Sequence, residues 1–120
     1  MSRRELGRWG EEAVARYLQA RGYAIVAENY TTRWGEVDLI AEGFGFLVFV
    51  EVKLRKNQNF MQARESVSFY KQRRLKTSAE LYLSEHSSYL QPRFDVAEVY
   101  APSGIKTHQP KIYYLENAFS

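Results

Sequence analysis

The stretch from Trp34 to Arg55, WGEVDLIAEGFGFLVFVEVKLR, constrains the fold of this chain more than any other. Leu47-Val48-Phe49-Val50 is an unbroken apolar run, the pattern of a strand covered on both faces. Glu51 and Lys53 follow before that strand has ended, and Asp38 stands in the preceding apolar segment beside Val37 and Leu39-Ile40-Ala41. Ionisable groups at the mouth of a buried hairpin are costly unless they are paired or hold a cation.

Register decides whether these charges meet. Side chains alternate along a strand, so Glu51 and Lys53 share one face while Val50, Val52 and Leu54 take the other. A two-residue loop at Phe44-Gly45 pairs Gly43 with Phe46, and Asp38 then falls opposite Glu51 and Glu36 opposite Lys53. Opposed Cβ atoms lie roughly 4.5–5.5 Å apart, close enough for Asp38 and Glu51 to share a hard divalent ion. A three-residue loop would send Asp38 to the other face. Magnesium needs only one or two protein carboxylates. It polarises a phosphoryl oxygen and activates a water, while Lys53 can orient that water or offset transition-state charge. The same residues also suit a solvated sheet face carrying a Glu36–Lys53 ion pair.

GEVDLIA followed by VFVEVKLR resembles the PD-(D/E)xK nuclease motif, and most closely the small bacterial YraN-like family, which is similar to archaeal Holliday-junction resolvases. The resemblance extends through GRWGEEAVARYL, KQRRLKTSAELYL and RFDVAEVY, and so covers nearly the whole chain. Val37 stands where the motif has proline. The resemblance implies a restriction-endonuclease-like core, Asp38 and Glu51 as ligands of Mg2+ or Mn2+, and Lys53 as the catalytic lysine. It also implies that Glu11 completes the site and that Lys71 has a place near the scissile phosphate.

Ser2-x-x-Glu5 is a capping box opening a helix to about Arg21, with an apolar stripe of Leu6, Trp9, Ala13, Val14, Tyr17 and Leu18. Gly22 ends it. Glu11 lies on the rim of the stripe, and Gly7 and Gly10 would let the helix approach a neighbouring backbone and bring Glu11 to the hairpin mouth. Alternatively Glu11 is simply solvated, with Glu12 paired to Arg8 or Arg16. Tyr23 to Tyr30 is the first strand, and Thr31 to Gly35 turns the chain into the Asp38 strand. Arg33 and Trp34 could meet a phosphate and a base, although a tryptophan beside a glycine turn more often closes a core.

Lys56 to Gln62 is a polar loop suited to substrate contact. The next helix starts at Ser66 or Ser68 and ends near Ser84, burying Leu75, Ala79, Tyr82 and Leu83. Lys71, Arg73, Arg74 and Lys76 crowd its first half. With Arg55 and Lys56 they could line a basic strip that binds phosphates without reading sequence. Arg93 to Tyr100 alternates as a fourth strand, in which Asp95 beside Arg93 suits a structural ion pair. Lys111 to Leu115 is a last, edge strand. His86 and His108 lack metal-ligand spacing and belong on the surface.

The order αβββαββ predicts an α/β fold with a mixed central sheet flanked by helices, in one nuclease-like domain over residues 1–120. No cysteine is present, which excludes a disulfide framework and thiolate zinc sites. No apolar stretch approaches the ~20 residues of a membrane span, and the amino end lacks an apolar signal core, so a cytoplasmic protein is expected. A net charge of +3 permits a nucleic-acid partner. The expected function is a metal-dependent nuclease acting on branched or single-stranded DNA, working as a homodimer where two strands are cut symmetrically. The alternatives are a nucleic-acid-binding module with little or no catalysis, and a protein-interaction domain.

Overall fold

The computed structural model describes residues 2–56 and 67–120. All of the loop expected from Lys56 to Gln62 except Lys56, and the alternative helix start at Ser66, lie outside those residues. Helix α1 spans Arg3–Ala20, strands β1 Ala24–Thr32, β2 Gly35–Gly43 and β3 Phe46–Arg55, helix α2 Phe69–Glu85, and strands β4 Gln91–Tyr100 and β5 Lys111–Phe119. The strands form one sheet in the order β1-β2-β3-β4-β5. Among the described residues only β3 and β4 pair in parallel; the other neighbours are antiparallel. The expected mixed sheet with two helices is therefore what forms, with α2 as the crossover that a parallel pair requires.

Local chemistry accounts for the ends of these elements. The Ser2 side chain accepts the Glu5 N–H at 3.1 Å, and the Ser68 side chain accepts the Lys71 N–H at 3.1 Å, so each helix has a polar cap. Phe44 and Gly45 have φ of 54° and 85°, the left-handed pair that suits a two-residue hairpin. The loop pairs Gly43 with Phe46, and this register runs to Leu39 and Val50. At the other end of β2, the Thr32 hydroxyl accepts the Trp34 N–H at 3.0 Å and lies 2.9 Å from the Ser78 hydroxyl. That contact fastens the β1–β2 turn to α2.

Two apolar layers cover the sheet. Leu75, Ala79 and Tyr82 of α2 pack on Val37, Ile40, Leu47, Phe49 and Val96. Val14, Ala15 and Leu18 of α1 pack on Leu39, Ala41, Val48, Val50, Ala97 and Val99. The central strand β3 is buried from both sides, as its apolar run requires. Leu83, expected in the core, is only partly buried at its edge. The Cβ of an alanine at position 10 would come within 3.0 Å of the Leu54 side chain, whereas one at position 7 would meet nothing within 4 Å. The close approach of α1 is thus to a side chain at Gly10 alone, and not to a backbone along both glycines.

Arg93 and Asp95 form the expected ion pair, at 2.9 Å, within a wider buried network. Asp95, fully buried, also accepts the Tyr114 hydroxyl at 2.6 Å and the Asn117 N–H at 2.8 Å. Arg93 donates to the Tyr23 hydroxyl at 3.0 Å and lies over the Phe46 ring. Removing one member of a buried pair strands the other's charge. Arg93→Met is therefore expected to lower unfolding free energy by about 3–5 kcal/mol, and Tyr114→Phe by about 1.5–3 kcal/mol. Urea denaturation at unchanged m-value measures both; midpoints equal to wild type would refute the network's role.

Candidate functional site

The regular order of β2 fails at Asp38. Val37 and Ile40, three residues apart, both enter the α2-side core, whereas Leu39 enters the α1-side core. Strict alternation cannot produce that. Across the β1–β2 pair, Glu28 faces Leu39 and Tyr30 faces Val37, which brackets Asn29 opposite Asp38. Asn29 has φ of 51°, a conformation that asparagine tolerates better than most residues. On the other side, the β2–β3 ladder stops at Leu39–Val50. One step beyond, Asp38 Oδ2 accepts the Val52 N–H at 2.8 Å. A side chain thus takes a main-chain donor that points toward β2, and the two strands part.

Four carboxylates gather at this parting. Oxygens of Glu11 from α1 and of Glu36 and Asp38 from β2 lie within 4.8 Å of one another. Glu51, 3% exposed, approaches from β3 closely enough to act on the ionisation of Asp38. Burial raises the Asp38 carboxyl to about 8, helped by the Glu51 and Glu11 charges and opposed by the Val52 N–H and Lys71. Burial also raises Glu11, with Glu36 and Glu28 adding to it and bonds from Asn29 and Asp38 working against it.

Two lysines answer the acids. Glu51 Oε2 is ion-paired with Lys71 Nζ and lies 3.5 Å from Lys53 Nζ. Burial lowers the Lys53 ammonium, partly offset by Glu51. For Lys71 burial acts in the same sense, but the bond and charge of Glu51 outweigh it and the net shift is upward. Lys71 sits in the first turn of α2, where the helix dipole opposes a cation; the pair with Glu51 compensates. With all six groups ionised, two negative charges are left unmatched among them. Hard oxygen donors carrying that excess fit a small divalent cation such as Mg2+ or Mn2+. Asp38, Glu11 and Glu36 have mutually convergent oxygens for it, while Glu51 is already engaged by lysine.

The other candidates are distributed differently. Glu36 turns to Glu11 and Asp38, so the expected Glu36–Lys53 cross-strand pair gives way to Lys53–Glu51. Arg55 is held 3.1 Å from the buried Glu98, and Lys56 lies exposed beyond it at the end of β3. Arg73 is exposed, and Arg74 donates through Nε to the Trp34 carbonyl. Trp34 does not close a core; it is 43% exposed.

Sequence reasoning missed Glu36 and Asn29 as members of the acidic centre, and Arg4 and Arg8. These two arginines line a cleft of about 540 Å³ together with Glu11, Asn29 and Glu36. The 4–8–11 spacing, one helix face, was the available signal for the arginines, and a poor strand former inside β1 was the signal for Asn29.

The model of the family described as "Uncharacterised protein family UPF0102" matches residues 10–99. The chain belongs to the UPF0102 family. It is 51% identical over 100 residues to a UPF0102 protein of Symbiobacterium thermophilum, covering 82% of this chain and 84% of that protein. It is 41% identical over 117 residues to one of Syntrophomonas wolfei, covering 97% and 98%. With one of Dictyoglomus turgidum the identity is 38% over 121 residues, covering 99% and 100%. The YraN-like resemblance thus falls within UPF0102. The span matched by the UPF0102 model holds Glu11, Glu36, Asp38, Glu51, Lys53 and Lys71, and leaves Arg4 and Arg8 outside. Among the described residues no helix is long and apolar enough to cross a membrane.

The raised Asp38 carboxyl makes stability depend on pH. Its ordinary value is 3.8, so between about 4 and 8 the native state holds a proton that the unfolded chain has released. Stability then falls as pH rises. The contribution is full below about 4 and lost above about 8. In metal-free buffer the melting temperature of Asp38→Asn should exceed that of wild type by a margin that widens from pH 5 to 8. A constant margin would show that Asp38 ionises normally.

Proposed function

We propose that this UPF0102 protein is a divalent-metal-dependent nuclease that hydrolyses phosphodiester bonds of DNA. One observation carries the reading: carboxylates from α1 and β2 converge where β2 and β3 part, beside the buried Glu51 of β3 and its partners Lys53 and Lys71. The element order and the parallel β3–β4 crossover support a restriction-endonuclease-like core, the scaffold expected of the GEVDLIA…VEVK segment.

Asp38, with Glu11 and Glu36, would hold the cation, and Glu51 would join as its lysine partners shift toward phosphate. A bound Mg2+ or Mn2+ supplies Lewis-acid polarisation of a phosphoryl oxygen and eases deprotonation of water. The Val52 N–H fixes the Asp38 carboxylate, so its free oxygen is oriented before any ligand arrives. Lys53, whose charge burial disfavours, stands beside the developing negative charge, where it can orient the attacking water. Lys71 positions Glu51 and offers positive charge to the same phosphate. Arg4 and Arg8 on one side, and Arg73 on the other, supply backbone contacts that set register without reading bases. The described residues of each chain carry one such centre, so a cut through both strands calls for two copies.

A second reading, a nucleic-acid-binding module without catalysis, draws on the Lys71–Glu51 pair, which already occupies a carboxylate that a cation would use. Cleavage assays on single-stranded, duplex and branched DNA with Mg2+ or Mn2+ separate the two. The wild type should cut at least one substrate, and chelation should stop it. Asp38→Ala and Glu51→Ala should lose about a hundredfold or more, and Lys53→Ala roughly 10²–10³. Equal rates in wild type and variants, or no cleavage of any substrate, would overturn the nuclease reading.

A further inference from the structure

A second cleft opens beside the acidic centre, on the opposite side from Arg4 and Arg8. It measures about 400 Å³ and lies between the β1–β2 turn and the start of α2, with Trp34, Glu36, Tyr70, Lys71 and Arg74 on its walls. Trp34 is 43% exposed and Tyr70 70%. Large aromatic rings are usually placed where they bury most of their area, so two of them left open on one cleft call for an occupant.

The Trp34 main chain is held in place, and cations border both rings. The Thr32 hydroxyl fixes the Trp34 N–H, and Arg74 Nε donates to the Trp34 carbonyl. The guanidinium passes 3.7 Å from where a Cβ on Gly35 would lie, and Gly35 has φ of 138°, so that position suits a residue without a side chain. Arg74 also lies 5.6 Å from the centre of the Tyr70 ring, and Arg33 lies 5.2 Å from that of Trp34. Arg73 joins Trp34 and Tyr70 along the outer rim. The result is a pair of aromatic faces bordered by cations, with Glu36 shared between this cleft and the acidic one and Lys71 reaching from it to Glu51.

We infer that the Trp34–Tyr70 cleft binds an unpaired base of a single-stranded nucleic acid whose backbone runs on toward the acidic centre. Aromatic faces stack on any base, and the bordering arginines take the adjoining phosphates. A base inside a duplex cannot present its face to such a cleft, so the preference is for single strands and for the unpaired arms of branched DNA. This deepens the nuclease reading by naming the substrate class, and rests on it for the cutting of that strand.

Binding measured without cleavage tests it separately. Labelled oligo(dT), an abasic oligomer of equal length and a blunt duplex are titrated in EDTA at fixed ionic strength. Trp34→Ala and Tyr70→Ala should each weaken oligo(dT) binding roughly five- to a hundredfold, the loss of one base–aromatic stack. Trp34→Phe should restore most of it, and affinity for the abasic oligomer and the duplex should stay within about twofold, since phosphate contacts carry those. Circular dichroism melts show which variants remain folded. Wild-type affinity for oligo(dT) in both folded alanine variants, or equal losses on all three ligands, would overturn the inference. An inert nuclease that keeps the base-dependent difference would remove the catalytic reading and leave this one standing.

Discussion

The arrangement of charge in this protein depends on one hydrogen bond, from the Val52 N–H to the Asp38 carboxylate. Where it forms, β2 ceases to act as a main-chain acceptor for β3, and the ladder that began at the Phe44-Gly45 turn ends. Across the β1–β2 pair, whose register continues on either side, Asn29 faces the same position in a left-handed conformation. A sheet covered on both faces has few places where carboxylates can collect, because paired backbone leaves no room and burial penalises charge. Parting the strands makes such a place, and α1 and α2 bring Glu11 and Lys71 to it from opposite faces.

The protein holds buried charge in two contrasting ways. Around Asp95 the carboxylate is met by a guanidinium, a hydroxyl and a backbone N–H, and its donors are themselves engaged. That network ties β4 to β5. Around Asp38 the acids outnumber the cations, and burial, with the neighbouring carboxylates adding to it, holds the Asp38 and Glu11 carboxyl groups above their ordinary range. The first arrangement suits a structural role. The second suits a site built to receive positive charge from outside.

Around that site the surface is divided by chemistry. Arg4 and Arg8 lie along α1 on one flank, and the open Trp34 and Tyr70 rings with their arginines lie on the other. Both flanks carry the positive charge that a polyanion needs. Only one carries aromatic faces, so a strand crossing the centre would meet different recognition on its two sides. Glu36 lies between them, a wall of both clefts.

Much of this was legible in the chain itself. Apolar runs and glycine turns specified the hairpin and the crossover through α2, because alternation and turn geometry are local properties, while the choice of a two-residue over a three-residue loop was left to the structure. The same reasoning set Arg93 beside Asp95 on one strand face. It went astray where a strand departs from its own period. Glu36 was matched to Lys53 by a register that ends at Leu39, and Trp34 was placed in a core from which the short β1–β2 turn holds it out. Sequence determines which face a side chain takes while the ladder is regular. Only the packed structure decided where β2 and β3 separate, since that depends on a carboxylate finding a donor fourteen residues away and on two helices closing over the gap.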